Sequence, residues 1–283
     1  MAKAKQTAII TGGARGMGLA TALIMAADHH LVLTDVDEQA LADAVQRVEA
    51  AGGTAEYVVA DITDRTQVDA VFAAAAKAGG LRAVVHAAGV SPHMTTAEKI
   101  IDINAVGTVH ITDAAHSVAG EGFALVNVAS IAAIMVPRFL IPTRAFRYAA
   151  TDIDKFRRKL VSASLRGGRK MSAAQSYPIS KAFVVWFSAD QSARFGAKGA
   201  RILSVSPGSF DTAMGQLEAK GGAGKLTEFA ALKRFGKPEE IGELLAFCAS
   251  DKPGYLTGID ILCDGGTKAG MGLKEKIELA RQA

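Results

Sequence analysis

The sequence has few cysteines and no long apolar run. Its two cysteines, Cys248 and Cys263, form neither a Cys-x-x-Cys pair nor a recognisable set of metal ligands. We therefore expect two core thiols in a reducing cytosol and no metal site. No apolar run approaches the roughly 18 residues that a membrane-spanning helix needs, and Gly12, Gly13 and Arg15 interrupt the first apolar segment too early for a signal peptide. These absences predict a cytoplasmic protein with no membrane partner.

A strong excess of charge of one sign is absent as well. The formal net charge of the 283-residue chain is +4 at pH 7, which is too small to indicate a nucleic-acid partner. With 49% hydrophobic and 21% charged residues, the chain can bury a sizeable core and is not expected to be disordered. Its length allows one large α/β domain or two small domains.

A glycine-rich turn near the start of the chain organises the rest of the sequence. Residues 8–20 (AIITGGARGMGLA) predict a short buried strand, a turn and the start of a helix. Gly12, Gly16 and Gly18 suit a tight bend with positive φ, close approach of the backbone to a pyrophosphate, and close helix–strand packing. The helix that opens near Gly16 would present free N–H groups to a phosphate. Such a triplet is weak evidence alone, and its support comes from the segments after it.

The second predicted strand, residues 31–35, ends in Asp35, 17 positions after Gly18. A carboxylate there can accept hydrogen bonds from the adenosine ribose hydroxyls and would repel a 2′-phosphate, which favours NAD over NADP. Arg15 argues the other way, because its guanidinium could bind that phosphate. We give Asp35 more weight, since its repulsion acts where the phosphate would sit. Asp35 could also cap the helix that starts at Glu38, and the two roles are compatible.

Strands and helices alternate along most of the chain, which predicts a doubly wound parallel α/β sheet. Ligands bind such sheets beyond the carboxyl ends of the strands, where Asp35, Asp61 and Gly89 fall. The predicted strands are residues 8–11, 31–35, 55–60, 83–89, 123–129, 202–206 and 256–262. The predicted helices include residues 38–51, 64–78, 97–118, 177–195 and 238–250.

Tyr177 and Lys181 are four residues apart, so they share one face of the predicted helix. Moving a hydride between a carbinol carbon and a nicotinamide requires a group that exchanges the hydroxyl proton. A tyrosine does this poorly at its free pKa of about 10, and an ammonium one turn away should lower that pKa. Taken alone, the two residues are better explained as an ordinary amphipathic helix pair. Their position after Ser130, at the end of the fifth predicted strand, favours the catalytic alternative.

Further motifs come after the glycine-rich turn in a fixed order. The motif segments are residues 11–18, 61–62, 87–89, Asn104, Ser130, Tyr177-x-x-x-Lys181, 207–208, 256–258 and 264–266. Over residues 5–267 this ordered set resembles the short-chain dehydrogenase/reductase family. The resemblance implies a single catalytic domain over 1–283 with a Rossmann-like, doubly wound parallel sheet of about seven strands and helices on both faces. It also implies NAD(P)-dependent alcohol/carbonyl interconversion.

The same resemblance implies an active site formed by Asn104, Ser130, Tyr177 and Lys181. Lys181 would also hold the nicotinamide ribose, Ser130 would hydrogen-bond the substrate oxygen, and Asn104 would steady its helix and a proton-relay water. Thr212 could bond the nicotinamide amide, or it could simply cap a helix. The residues expected to bind the cofactor are Gly12, Arg15, Gly16, Met17, Gly18, Asp35, Asp61, Ile62, Ala88, Gly89, Tyr177, Lys181, Pro207, Gly208 and Thr212.

The largest departure from the family pattern lies between Ser130 and Tyr177, which are 47 positions apart where the family has about a dozen. Residues 131–176 are therefore expected to contain an insertion. They include ten Lys or Arg residues and two acids, a net charge of about +8, and they predict a helix over 152–165. Members resembling bacterial 3α-hydroxysteroid dehydrogenase/carbonyl reductase also carry an insertion here, which alters subunit assembly. The basic face is either solvated, packed on a neighbouring subunit, or a guide for an anionic substrate.

Two further positions bear on the site. His86 stands where the family usually has asparagine, and it either contacts a ribose or is a hydrogen-bonded core histidine. Residues 209–236 are rich in glycine without clear periodicity, so we expect a mobile lid over the substrate. The lid would contribute an apolar wall from Phe210, Met214 and Leu217.

The long helices that carry Asn104 and Tyr177 suggest pairing between subunits, as in the resembling family, so we expect a homo-oligomer, either a dimer or a tetramer. The tail, residues 267–283, would either fray or pack a helical stripe on a partner subunit or near the cleft. The stripe would comprise Met271, Leu273, Ile277 and Leu279.

The sequence thus predicts an NAD-dependent oxidoreductase that interconverts a secondary alcohol and a ketone, with Tyr177 as general acid/base. Its partner would be a largely apolar small molecule, such as a steroid or terpene alcohol. One alternative is a 3-oxoacyl thioester reductase, which Asp35 disfavours because such an enzyme would prefer NADPH. The other is a non-catalytic dinucleotide-binding sensor, which would have no chemical need for the complete set of four active-site residues.

Overall fold

The computed structural model describes residues 5–168, 171–220, 224 and 226–272. Its centre is a seven-stranded sheet in the order β3-β2-β1-β4-β5-β6-β7, and each pair of neighbouring strands is parallel. The strands are β1 (Gln6–Thr11), β2 (His29–Asp35), β3 (Thr54–Val59), β4 (Leu81–His86), β5 (Ala124–Val128), β6 (Arg201–Pro207) and β7 (Asp260–Cys263). The doubly wound parallel α/β sheet predicted from the sequence is confirmed.

The central strands are short apolar segments that are buried on both faces, as parallel sheets require. Along β1, Ile10 faces one helical layer and Ile9 faces the other, and neither has exposed surface. The chain reaches β3 at one edge of the sheet and returns to form β4 beside β1. The direction of winding therefore reverses between β1 and β4, which opens a crevice at the carboxyl ends of the strands.

Helices cover both faces of the sheet. The helices of the described residues are α1 (Gly16–Met25), α2 (Glu38–Ala50), α3 (Arg65–Ala78), α4 (Ala97–Ile101), α5 (Gly107–Val118), α6 (Ala132–Met135), α7 (Thr143–Phe146), α8 (Ile153–Ser164), α9 (Ser172–Asp190), α10 (Ser192–Gly196), α11 (Ala213–Lys220), α12 (Leu226–Phe229), α13 (Pro238–Ala249) and α14 (Thr267–Gly270). On one face α1 and α13 pack through Leu19 and Ile241. On the other face α3 and α5 pack through Val68 and Ile111.

The helix predicted over residues 97–118 is not continuous. A π-helical turn, Asp102–Val106, separates α4 from α5, and Asn104 lies within it. Such turns widen the helix by one residue and occur often at functional sites. The apolar periodicity of 97–118 gives no sign of this turn, because one additional residue shifts the pattern too little to be seen.

Several other predicted boundaries were wrong by three or more residues, including the end of the strand predicted over 83–89, since β4 ends at His86, and the end of the helix predicted over 177–195, since α9 ends at Asp190. Helix α9 begins at Ser172 rather than near Tyr177, because the alanines that precede Tyr177 are good helix formers. Strand β7 begins at Asp260 rather than at residue 256. The segment before it contains Gly258 with a φ of 68°, a left-handed conformation that interrupts an extended strand.

The predicted insertion contains short helical turns and then α8, close to the helix predicted over 152–165. The side chain of Asp152 caps α8 by accepting a hydrogen bond from the Lys155 N–H at 2.9 Å. Phe156 and Leu160 have no exposed surface and pack in one core with residues of α4 and α9. The ring centres of Phe156 and Phe183 are 4.5 Å apart. Helix α8 therefore adds a third apolar core on the α4–α9 side of the molecule.

The basic residues of α8 differ in their surroundings. Arg157 forms two hydrogen bonds to Asp102, with Nε–Oδ1 at 2.5 Å and Nη2–Oδ2 at 2.7 Å. Arg158 and Lys159 are exposed. Arg169 and Lys170, which also belong to the predicted basic segment, lie outside the described residues. One basic side chain of α8 thus joins this helix to the π-helical turn.

The tail is described as far as residue 272. Met271 is buried, whereas Leu273, Ile277 and Leu279 of the predicted stripe lie outside the described residues. Within the described ranges, no helix combines the length and apolar character needed to cross a membrane. The same residues contain no cluster of three or more His, Cys, Asp or Glu side chains arranged to hold a metal ion.

Candidate active site

A cleft of about 720 Å³ lies at the carboxyl ends of the strands. Its walls come from the turn after β1, the ends of β2, β4, β5 and β6, and from α9 and α11. All fifteen residues that the sequence predicts to bind the cofactor line this cleft, and so does Ser130. Asn104 is 1% exposed and lies behind the wall rather than in it.

The glycine-rich turn after β1 leaves room for a phosphate against the backbone. Gly12 and Gly16 have φ values of 64° and 57°, which side chains rarely tolerate. A Cβ on Gly12 would lie 2.8 Å from the Ala88 nitrogen, and one on Gly18 would overlap the Gly12 carbonyl oxygen. Helix α1 starts here without a side-chain cap, so its first N–H groups can donate to a bound anion. These features fit the pyrophosphate of a dinucleotide.

Two carboxylates lie after β2 at the rim of the cleft. Asp35 Oδ1 accepts hydrogen bonds from the N–H groups of Val36 at 2.8 Å and Asp37 at 3.4 Å. Asp37, rather than Asp35, caps α2, because its side chain accepts a hydrogen bond from the Ala40 N–H at 3.1 Å. Arg15 forms an ion pair with Asp37. Among the described residues, Arg15 is the only cationic side chain that lines the cleft beside these carboxylates. It is already paired with Asp37.

Tyr177, Ser130 and Lys181 come together where β5 meets α9. The Ser130 hydroxyl lies beside the Tyr177 phenol and favours its ionised form. Lys181 Nζ lies 6.0 Å from the centre of the Tyr177 ring and donates a hydrogen bond to the Val128 carbonyl at 2.9 Å. Burial lowers the pKa of Lys181 to about 8. The four-residue spacing on one helix face brings the phenol and the ammonium into the same cleft.

The pKa of Tyr177 lies well above its usual value, which is the opposite of the prediction from Lys181. The main cause is burial, and the second is the negative charge of Glu218. The nearby Ser130 hydroxyl acts in the other direction but is the weaker influence on this pKa. Tyr177 is therefore a protonated phenol at neutral pH.

Asn104 links two walls of the site from behind. Its Oδ1 accepts a hydrogen bond from the Val90 N–H at 2.9 Å, and its Nδ2 donates to the Val90 carbonyl at 2.9 Å and to Ser180 Oγ at 3.2 Å. Ser180 precedes Lys181 on α9. Asn104 thus fixes the segment after β4 against the helix that carries the phenol and the ammonium.

His86 lies at the centre of a buried hydrogen-bond chain. Its Nδ1 is 2.7 Å from Thr11 Oγ1, and its Nε2 is 3.1 Å from Thr108 Oγ1. Thr11 Oγ1 accepts a backbone N–H at 3.2 Å and keeps its own proton, which it donates to Nδ1 when the imidazole is neutral and protonated on Nε2. Thr108 Oγ1 donates to the Asn104 carbonyl at 2.8 Å, so it accepts the Nε2 proton. This chain runs in one direction from β1 through β4 to the π-helical turn.

The chain requires a neutral imidazole. Burial, helped by the positive charge of Lys181, lowers the pKa of His86 to about 3. Of the two alternatives drawn from the sequence, the structure shows the hydrogen-bonded core histidine.

The predicted lid, residues 209–236, contains α11 and α12. Thr212 caps α11, since its Oγ1 accepts a hydrogen bond from the Gly215 N–H at 3.0 Å, and it also lines the cleft. The apolar residues that line the substrate side include Val90, Met94, Ile103, Phe210, Met214 and Leu217. The apolar wall predicted from the lid therefore lies at the cleft.

Glu218 is a functional candidate that the sequence analysis missed. It lies on α11, lines the cleft, and interacts with both Tyr177 and Lys181. Burial raises the pKa of Glu218. Helical spacing was the available signal, because residues 214, 217 and 218 share one face of a helix, but the glycines of this segment concealed that helix.

Comparisons with known proteins place the chain among oxidoreductases. Residues 6–150 match the family described as short chain dehydrogenase, and residues 142–268 match one described as Enoyl-(Acyl carrier protein) reductase. The chain is 26% identical over 283 residues to 3beta-hydroxysteroid dehydrogenase 2 of Eggerthella lenta, with 94% of this chain and 96% of that protein covered.

Two other similar proteins bear on substrate and cofactor. The 3-oxoacyl-[acyl-carrier-protein] reductase FabG of Thermotoga maritima is 26% identical over 268 residues, covering 91% of this chain and 96% of that protein. A short chain dehydrogenase from Burkholderia cenocepacia, solved in complex with NADP, superposes with a TM-score of 0.74 at 25% identity. The superposition covers 94% of this chain and 98% of that one.

Proposed function

The chain belongs to the short-chain dehydrogenase family of oxidoreductases, and from this premise we propose that it interconverts a secondary alcohol and a ketone with NAD. The observation that carries the proposal is the Tyr177–Ser130 pair beside buried Lys181, in a cleft that begins at a phosphate-sized glycine turn. A sensor that only bound the dinucleotide would need the glycine-rich turn but not the adjacent hydroxyls of Tyr177 and Ser130.

Tyr177 is proposed as the general acid/base. During oxidation, the carbinol C–H bond breaks with its electron pair leaving as hydride, and the hydroxyl proton passes to the Tyr177 oxygen. During reduction, the hydride adds to the carbonyl carbon, the C=O π electrons move to the oxygen, and the same phenol donates its proton to that oxygen. When bound, the nicotinamide supplies the partner for the hydride. Ser130 would orient the substrate oxygen, since its hydroxyl lies next to the phenol.

At neutral pH the Tyr177 phenol is protonated, which is the form that donates a proton during ketone reduction. A phenol can donate its proton at once, whereas alcohol oxidation must begin from the phenolate. When Lys181 is charged, its ammonium favours the phenolate form of Tyr177. The pKa of Lys181, about 8, keeps Lys181 mostly protonated at neutral pH. Oxidation should therefore rise with pH, whereas reduction, which needs the protonated phenol, should not.

NAD is proposed over NADP because of the charges after β2. Asp35 ends β2 at the cleft, and Asp37 holds Arg15 in an ion pair. A 2′-phosphate there would meet one free carboxylate without a free guanidinium to offset it. A thioester reductase, the second candidate, draws support from the similarity to FabG and from the exposed Arg158 and Lys159 of α8.

A substrate and cofactor panel tests these proposals. Secondary alcohols with NAD or NADP, and ketones and 3-oxoacyl thioesters with NADH or NADPH, are assayed by nicotinamide absorbance. The wild type is compared with Tyr177→Phe and with the control Tyr255→Phe, whose side chain is fully exposed. We expect turnover with NAD and an alcohol or ketone, lost only in Tyr177→Phe.

The panel also separates the alternatives. Thioester turnover with NADPH above that of simple ketones would establish the second candidate instead. Tight NADH binding without turnover of any compound in either direction would reject the enzymatic proposal for these substrate classes and favour the sensor.

A further inference from the structure

Apart from Ser130, Tyr177, Lys181 and Thr212, the substrate side of the cleft is apolar except for one carboxylate. Glu218 is the acidic residue that α11 brings to the cleft, directly after Leu217 and one helical turn after Met214. Desolvation is the largest influence on Glu218, and it disfavours the charged form. An acid at this position carries a cost that apolar recognition alone does not require.

The carboxylate of Glu218 is incompletely partnered. Its Oε1 atom is buried and has no hydrogen-bond partner among the described residues. No Lys, Arg or His nitrogen of those residues lies within 4.0 Å of it, because Lys181 acts on Glu218 from a longer distance and donates to Val128 instead. A buried acceptor without a donor is costly, and a group that supplies the donor gains correspondingly.

We propose that Glu218 is a specificity-determining residue that binds a hydrogen-bond donor, a hydroxyl or an ammonium, carried by the substrate next to its reacting carbinol. The proposal rests on the proposed alcohol/ketone interconversion. The chemical class is an apolar, ring-like or branched body with a second donor group, that is, a diol or an amino alcohol. It replaces a purely apolar substrate with an amphipathic one.

The geometry restricts where the donor must lie. Glu218 interacts directly with the Tyr177 side chain, and Tyr177 is the group that would exchange a proton with the reacting oxygen. A donor that reaches Glu218 must therefore sit on or beside the carbon next to the carbinol. A donor at the far end of a large substrate would not reach it.

A neighbouring donor would also offset the effect of Glu218 on the phenol. The negative carboxylate opposes ionisation of Tyr177, since two negative charges at this distance repel. A hydroxyl or ammonium that binds the carboxylate reduces that repulsion. Recognition of the donor and formation of the phenolate are therefore coupled in the same pocket.

Three matched compounds test the proposal: cyclohexanol, cyclohexane-1,2-diol and 2-aminocyclohexanol. Their affinities for the protein saturated with NAD are measured by calorimetry, and their kcat/KM values by NADH formation. The variants are Glu218→Gln and Glu218→Leu, with Glu228→Gln as the control because Glu228 is an exposed glutamate of the same lid. The readout is the ratio of each donor-bearing compound to cyclohexanol within one variant, so that any effect of the substitution that is common to the three compounds cancels.

In the wild type and in Glu228→Gln we expect the better donor-bearing compound to bind about ten- to a hundredfold more tightly than cyclohexanol, the range of a hydrogen bond to a charged group. Glu218→Leu should bring this ratio close to one. Glu218→Gln should remove most of an ammonium preference but retain part of a hydroxyl preference, which distinguishes the two donors.

A wild-type ratio near one, or a ratio that Glu218→Leu leaves unchanged, would overturn the proposal. Because calorimetry does not require turnover, this outcome is distinct from failure of the proposed function. That failure would appear as binding of the compounds without NADH formation from any of them.

Discussion

The two halves of the cleft are built in different ways. The proposed cofactor half consists of the turn after β1 and the ends of β2 and β4, and its backbone is fixed by the sheet. The proposed substrate half is formed by α11 and the side chains beside α9, the helix against which the inserted helix α8 packs. The cofactor half depends on backbone conformation at a few glycines, whereas the substrate half depends on how helices pack. The comparison suggests that the first half sets the cofactor class and the second half sets the substrate.

The largest expected effect tests whether the substrate half is as firmly packed as the cofactor half. Phe156→Ala removes a side chain with no exposed surface, 4.5 Å from the Phe183 ring. We expect it to lower the free energy of unfolding by about 3–5 kcal/mol, as for buried aromatic side chains elsewhere. Urea unfolding followed by circular dichroism measures the change.

The control for this variant is Phe139→Ala, because Phe139 lies in the same insertion and is 83% exposed. It should change stability by less than about 0.5 kcal/mol. If Phe156→Ala were equally mild, α8 would be a loosely attached addition, and the two halves would differ in stability as well as in construction.

The sequence predicted the cofactor half more completely than the substrate half, and the reason is physical. Gly12 provides a positive φ, Gly18 allows close backbone packing, and Asp35 places a charge at the end of β2. These requirements fix the spacing of the residues along the chain, so the sequence shows them. Glu218 becomes part of the site only because α11 folds over the cleft. No local sequence pattern predicted that position of α11. The pKa of Tyr177 was predicted with the wrong sign, because burial raises it and the charge of Glu218 on that helix adds to the rise.

The next effect concerns the buried histidine of the cofactor half. The pKa of His86 is about 3 in the folded protein and about 6.5 when unfolded. Between these values the unfolded chain binds a proton that the folded protein does not. The contribution of neutral His86 to the free energy of unfolding is therefore fully present above about pH 6.5 and falls as the pH decreases. We expect a loss of about 1.4 kcal/mol per pH unit well inside this window, and about 2–3 kcal/mol between pH 6.5 and 4.5.

His86→Asn should remove this part of the pH dependence, although it lowers stability at neutral pH by breaking the chain from Thr11 to Thr108. His93→Asn is the matched control, because His93 is exposed, and it should keep the wild-type profile. Equal slopes for the wild type and His86→Asn in urea unfolding at pH 4.5–6.5 would mean that His86 is not held neutral. The cofactor half would then be less rigid than its hydrogen-bond chain implies.

A smaller effect tests the cofactor preference itself. Asp35→Ser removes the free carboxylate at the end of β2, so the ratio of kcat/KM with NADP to that with NAD should rise about tenfold, the equivalent of about 1.4 kcal/mol. Asp43→Ser makes the same change of charge on the exposed side of α2 and should leave the ratio unchanged. A ratio that moves equally in both variants would show that net charge, rather than the carboxylate at Asp35, governs the choice.

The smallest expected effect concerns the contact between the inserted helix α8 and the π-helical turn. Arg157 of α8 binds both oxygens of Asp102 in the π-helical turn that contains Asn104. Because the two side chains are 40% and 25% exposed, water screens the pair, and Arg157→Gln should cost about 0.5–1 kcal/mol. Arg158→Gln, the same change at an exposed neighbour, should cost less.

A double-mutant cycle with Asp102→Asn isolates the interaction between Arg157 and Asp102, and its coupling energy should decrease as salt rises from about 0.05 to about 1 M. A coupling above about 3 kcal/mol that salt does not reduce would mean that the pair is effectively buried, and that α8 controls the position of Asn104 rather than merely resting on it.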